Sequence, residues 1–408
     1  MIKSWFKNIG PGPLVAAAFI GPGTVTLCTV AGVNFGYALL WAMVLSIVAT
    51  IVLQEMSARL GIITQKGLAE IIRTEIKHPV FKGLSIVLIL SAIVIGNAAY
   101  EAGNISGGVL GLESVLGEYS KQIGSFSLNY FSVAIGLIAF VLLYIGNYKI
   151  LEKALVSLVI LMSIAFMITA IMTKPNLMEV FKGIFVPKFP DNSILTVIGL
   201  IGTTVVPYNL FLHASLVKEK WNNRRDLKYA RKDTIIALIL GGIVSMCIII
   251  SAAAIQTSEI NNAADLAKGL EPLFGSFSKY FLAIGLFAAG ITSAITAPLA
   301  AAFVATGCLG WSTKMTSKRF RAVWIFILVV GVLSSSSGIK SIEIIKFAQV
   351  ANGILLPVIA GFLIWIMNKH SVLGDYKNTM RQNIISIIIL AITIFLGVKS
   401  ILKVFELL

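Results

Sequence analysis

The stretch Gly21-Pro22-Gly23-Thr24 interrupts one hydrophobic run of the chain, and Val205-Val206-Pro207-Tyr208-Asn209 interrupts another. Proline has no N–H to give the helix ladder and glycine has little helical preference, so each stretch breaks a helix near its middle. In lipid, broken backbone has nothing to bond unless it is buried in protein or lines a cavity. Glycines flank Pro22, and polar Thr203, Thr204 and Asn209 surround Pro207, so both breaks set polar groups beside freed backbone. Taken singly, either one also reads as an ordinary kink of a membrane helix.

Composition shows why lipid is the solvent to assume. Of 408 residues, 57% are hydrophobic and 12% charged, and apolar runs long enough to cross a bilayer recur from end to end. About eleven spans are expected, near 14–37, 39–61, 83–111, 128–147, 151–173, 193–217, 234–257, 276–310, 321–337, 342–368 and 383–405. The fold class is therefore all-α integral membrane, one domain over 1–408 with nothing left for a soluble unit. Lys3 and Lys7 precede the first run as in a signal peptide, but the Gly-Pro-Gly break and the lack of a convincing cleavage site mark a retained span. Cys28, Cys247 and Cys308 lie singly in separate spans, as small buried hydrophobes rather than a disulfide or thiolate framework.

A net charge of +15 could suggest a nucleic-acid partner, but its placement argues for a membrane surface instead. With the N-terminus inside, 23 of the 33 Lys and Arg residues fall in inner segments and 10 in outer ones. That bias orients a multi-pass protein of the inner (plasma) membrane with its N-terminus cytoplasmic and its C-terminus outside. The densest loop, Lys218 to Lys232, alternates basic and acidic residues and suits a solvated loop touching anionic lipid.

Spans one to five (about 14–173) and six to ten (about 193–368) each begin with a broken helix, and an extra helix (about 383–405) completes the set. Five crossings separate the two starts, so the halves enter from opposite sides. That is the leucine-transporter-like five-plus-five inverted repeat, with helices 1 and 6 discontinuous and the substrate site between them at mid-membrane. Catalysis of covalent chemistry is not indicated, and no phosphate-binding Gly-rich Lys motif is present, so ATP-driven pumping within this chain is not expected.

Three stretches carry a family resemblance: "GPGTVTLCTVAGVNFGYALLWAMVLSIVATIVLQEMSARLGI" (21–62), "GTTVVPYNLFLHASLV" (202–217) and "GLFAAGITSAITAPLAAAF" (285–303). They resemble the Nramp family of proton-coupled divalent metal transporters. The resemblance implies the same eleven-span fold, no cofactor, and a divalent metal ion as the transported substrate. The departures fall on the metal site. The family's Asp-Pro-Gly-Asn is here Gly21-Pro22-Gly23-Thr24, and its Met-Pro-His-Asn is Val206-Pro207-Tyr208-Asn209. A thioether favours soft transition metals, whereas hydroxyls, carbonyls and water suit magnesium, which dehydrates reluctantly. Without the Met and Asp, the site is expected to take a hard or hydrated ion such as magnesium, with no tight selection for manganese, and to resemble Nramp-related magnesium transporters. A rival stays open, because an unwound Gly-Pro-Gly segment and a half-helix N-terminus also favour an anionic group, as on an amino acid. A carrier of a small organic solute, or a membrane sensor that transports nothing, would use the same fold.

The expected site comprises Gly21, Thr24, Thr203 and the carbonyl of Val206, with Gln349 and Asn352 one turn apart on a helix of the second half. By the resemblance, Gln349 matches a position that approaches the metal on closure; a plain interhelical hydrogen bond is the alternative. Glu101 is the clearest acid within a span, and its depth suggests a role. The family commonly has two acids there for proton release. Glu101 matches the first and Asn104 stands at the second, which puts proton coupling in doubt; a neutral Glu101 hydrogen-bonded inside the bundle is the alternative. His213 matches a second family histidine and suits either a proton relay or polar packing. Oligomeric state leaves no mark in the sequence.

Overall fold

The computed structural model describes residues 20–123, 126–146, 149–255 and 260–404. The inner half of the first expected span, up to residue 19, lies outside the described residues. The first half of the bundle comprises α1 (Pro22–Phe35), α2 (Leu40–Thr64), α3 (Leu68–Glu75), α4 (Pro79–Leu116), α5 (Tyr130–Ile145), α6 (Lys149–Met172) and α7 (Leu177–Phe185). The second half runs α8 (Ile194–Thr204), α9 (Pro207–Lys220), α10 (Leu227–Ala252), α11 (Ser278–Leu309), α12 (Lys318–Ser335), α13 (Ser341–Met367) and α14 (Met380–Val404).

Eight stretches among the described residues are long and apolar enough to cross a bilayer, α8 and α9 together counting as one. Three further expected spans are present in shorter or more polar form. For α1, 14 residues are described; α5 has 16; and α12 opens on Lys318, Arg319 and Arg321, which lower its hydropathy. At 38 residues α4 is about 57 Å long, more than a bilayer core needs, so its ends reach beyond the membrane. Two features have no counterpart in the span pattern. A β-hairpin pairs Ser120–Ile123 with Phe126–Asn129, and α3 and α7 are short amphipathic helices between spans.

Lipid tails are as apolar as leucine, so packing of small residues rather than hydrophobic burial draws these helices together. Gly107 of α4 leaves the room that Pro22 fills, and Gly202 of α8 lies flat against the backbone of Gln349 on α13. Across the same seam a methyl group on Gly353 would stand 2.6 Å from the Ile198 carbonyl. Close approach of α1, α4, α8 and α13 is thereby written into single positions, and it is these four helices that frame the two breaks. At one end of α2, buried Arg59 pairs with Glu55 at 3.1 Å and also donates to Asn378 and the Tyr376 carbonyl. Arg231 holds the other Glu55 oxygen at 2.7 Å. A buried guanidinium is tolerable only when paired and bonded; through these contacts Arg59 ties α2 to the turn before α14, and Glu55 ties it to Arg231 of α10.

Candidate functional site

Both breaks, the first from Ile20 onward, have the geometry that proline imposes. α8 stops at Thr204, Val206 is extended (φ −73, ψ 120), and α9 restarts with Pro207 in its first turn. With no N–H at 207, the carbonyl of Thr203 loses its helical donor. Among the described residues the carbonyls of Gly202, Thr203 and Thr204 accept no backbone hydrogen bond, so α8 ends in free oxygens at the negative end of its dipole. At the other break Gly21 is extended (φ −96, ψ −174) and Pro22 begins α1.

The breaks meet. Thr24 Oγ1 lies 2.9 Å from Thr203 Oγ1, 179 residues apart in sequence and both fully buried. Gln349 extends from α13 so that its amide lies over the bare Cα of Gly23, where any side chain would displace it. Its Oε1 is buried and has no hydrogen-bond partner among the described residues. Pro22, Gly23, Thr24, Thr203 and Gln349 therefore stand together, with buried Gly21 and Val206 at the edges of the same breaks. Asn352 shares Gln349's side of α13 but is aimed at α4, its Oδ1 3.7 Å from where a Gly96 side chain would begin and its Nδ2 unpartnered.

The remaining polar candidates flank this point. Tyr208 lies edge-to-face on Tyr100 of α4, ring centroids 5.3 Å apart, and its hydroxyl is buried without a partner. Asn209 Oδ1 is likewise unpartnered. Glu101, next to Tyr100, accepts from Asn104 at 3.4 Å through one oxygen while the other has no partner, and it packs where Gly331 of α12 leaves space. No Lys or Arg pairs with Glu101 among the described residues. His213 faces α2, its Nδ1 bonded to Gln54. Tyr100, Gln54 and Arg59 escaped the sequence reading; Gln54 and Arg59, polar residues inside an apolar span, carried a signal that could have found them, and Tyr100 carried none.

Chemically, the breaks offer hydroxyls, an amide oxygen and free backbone carbonyls, all hard oxygen donors. Among the described residues no three of His, Cys, Asp and Glu converge to hold a metal ion. A cavity of about 400 Å³ lies between α3, α9 and α11, lined by Phe211, Ser215 and Gly307 and by the charged Glu70, Glu219 and Lys314. Its α9 wall begins at Phe211, one turn beyond Pro207, and its charged α9 residues, Lys218 and Glu219, lie about three turns beyond it.

The profile of the natural resistance-associated macrophage protein-like (Nramp) family matches residues 12–403. The metal transporter nramp1 homolog of Dictyostelium discoideum is 30% identical, the match covering 99% of this chain and 77% of that protein. Among solved structures, a manganese transporter of Eremococcus coleocola superposes with a TM-score of 0.76 at 22% identity over 98% of this chain and 87% of that one. MhsT, solved in complex with L-phenylalanine, gives 0.59 at 16% identity over 95% and 98%. These likenesses fix the fold as the leucine-transporter-like bundle of about eleven spans, discontinuous at helices 1 and 6, and the relatives are transporters, not enzymes. The chain belongs to the Nramp family.

Proposed function

We propose that this protein carries a divalent cation across the membrane by alternating access, and that the ion is hard and at least partly hydrated, magnesium rather than a tightly selected transition metal. The observation that carries this reading is the donor set at the joined breaks: Thr24 and Thr203 hydroxyls, the unpartnered Gln349 Oε1 and the free carbonyls ending α8. Magnesium takes oxygen ligands in octahedral geometry and usually keeps several waters. Three or four neutral oxygens bridged to a hydrated ion satisfy that requirement. They offer manganese or iron no soft sulfur and no imidazole, the ligands by which transition metals are selected. The negative end of the α8 dipole supplies the field that a carboxylate at position 21 would otherwise provide.

Glu101 stands alone where a paired acid would be needed to pass a proton onward, so transport runs without stoichiometric proton movement. Orientation obeys the positive-inside bias, N-terminus cytoplasmic in the plasma membrane, and the cavity beside Phe211 is the cytoplasmic way out of the site. The test is uptake by proteoliposomes offered magnesium, calcium, manganese and a panel of amino acids. Saturable flux of a divalent ion supports the reading; saturable amino-acid uptake with no metal flux replaces it with a carrier of organic solutes.

A further inference from the structure

We infer that the groove between α4 and α13 is a binding site for one anionic phospholipid. The groove is open to the surface and offers about 500 Å³, lined on one side by Ile76, Phe81, Ser85 and Leu88 and on the other by Val358, Gly361, Phe362 and Trp365. Residues 81, 85 and 88 share one face of α4, and 358, 361, 362 and 365 share one face of α13, so the walls are two antiparallel helical stripes. From Phe81 to Leu88 the groove is about 10 Å long, the reach of part of an acyl chain. A Cβ on Gly361 would meet nothing within 4 Å. The missing side chain there opens the groove, and no other part of the described protein fills it.

Charge identifies the headgroup. The groove's mouth lies where α4 begins and α13 ends, at the membrane face whose loops carry most of the lysine and arginine. Lys77 and Lys82 flank it on the α4 side, and Lys369 Nζ stands 4.8 Å over the Trp365 ring that forms its lip. His78 lies beside Phe81, ring centroids 5.1 Å apart, and His370 begins the short turn after α13. One acid nearby, Glu75, is bonded to Ser371 at 3.2 Å. In the segments that meet at the mouth, Lys77, Lys82, Lys369 and Lys377 outnumber Glu75 and Asp375, which favours a phosphate with net negative charge, and an aromatic ring under a lysine at the headgroup level is a common interfacial anchor. The occupant reaches the substrate site through one helix. α13 carries Gln349 before Pro357 and the groove residues after it within one continuous helix, so lipid braces the helix on the far side of Pro357, whose missing N–H takes one backbone hydrogen bond from it.

Trp365 reports on its own groove. In the full-length protein reconstituted in mixed vesicles, the fluorescence lost on adding brominated lipid is measured for wild type and for Trp365→Phe, and the difference is the Trp365 signal. Brominated phosphatidylglycerol is expected to reach half-maximal quenching of that signal at roughly five-fold lower mole fraction than brominated phosphatidylcholine, the size of one lysine contact at a membrane surface. Lys77→Gln combined with Lys369→Gln should remove the preference, whereas Lys228→Gln, in the first turn of α10, should leave it intact. Gly361→Leu should lower Trp365 quenching by both lipids, because the leucine occupies the chain's place. Equal quenching by the two lipids in wild type would reduce the groove to ordinary boundary lipid and overturn the inference. A preference that survives the double lysine variant would overturn it as well.

Discussion

If Thr24 and Thr203 form the joint across the two breaks, removing their hydroxyls must be coupled. Thr24→Val leaves the Thr203 hydroxyl buried without its 2.9 Å partner, and stranding a buried hydroxyl costs about 1–3 kcal/mol. Thr203→Val removes the same bond from the other side. In the double variant the bond is gone but no Thr203 hydroxyl is left stranded, so the effects must fall short of their sum. Interhelical hydrogen bonds measured in membrane proteins average about 0.6 kcal/mol and reach about 1.7. At about 1.4 kcal/mol per factor of ten, the double variant should retain roughly 3- to 16-fold more apparent magnesium affinity than the product of the single losses. The assay is the concentration dependence of magnesium uptake for wild type, both singles and the double in matched proteoliposomes. Independent sites add to within about 0.3–0.5 kcal/mol. Strict multiplication of the two losses within that scatter would show that the hydroxyls act separately and that the breaks are not joined as described.

Three further outcomes are expected. Restoring the ligands usual in the family, Gly21→Asp with Thr24→Asn and Val206→Met, should confer cadmium and manganese binding measurable by calorimetry, since a carboxylate, an amide and a thioether would then surround one point; a folded triple variant with no gain would move the substrate site elsewhere. Magnesium uptake should leave a pH dye inside the vesicles unchanged, and Glu101→Gln should leave uptake within a few-fold of wild type, whereas substrate-driven acidification abolished by that variant would make Glu101 the coupling group. Gly202→Ala forces a methyl into the Gln349 carbonyl and should cost about 1–3 kcal/mol of stability as overpacking, read as a lower melting temperature in detergent, with Gly361→Ala, which meets open space, as the unchanged control.

Legibility in the sequence differs by feature. The breaks were legible because proline and glycine act locally, and Val205, Val206 and Pro207 behave as their chemistry requires in any context. The spans were legible because hydropathy sets them; the shortfall in α5 traces to its length of 16 residues and that in α12 to Lys318, Arg319 and Arg321 at its start. The β-hairpin at Ser120–Asn129 was hidden, since its eight paired residues look like any polar loop. The meeting of Thr24 with Thr203 was foreseeable only through the pairing of the breaks. The lid formed by Gln349 over Gly23 depended on a glycine's missing side chain, which sequence shows but does not aim. The packing of Tyr208 on Tyr100 joins two helices far apart in sequence and left no trace in either one.

The central claim is that the joined breaks favour a hard, hydrated cation over a tightly selected transition metal. Parallel uptake of magnesium and manganese into proteoliposomes, each titrated in competition with the other, tests it most directly. The expected result is saturable magnesium flux that manganese inhibits no better than magnesium itself does. Micromolar manganese uptake that excess magnesium fails to suppress would contradict it.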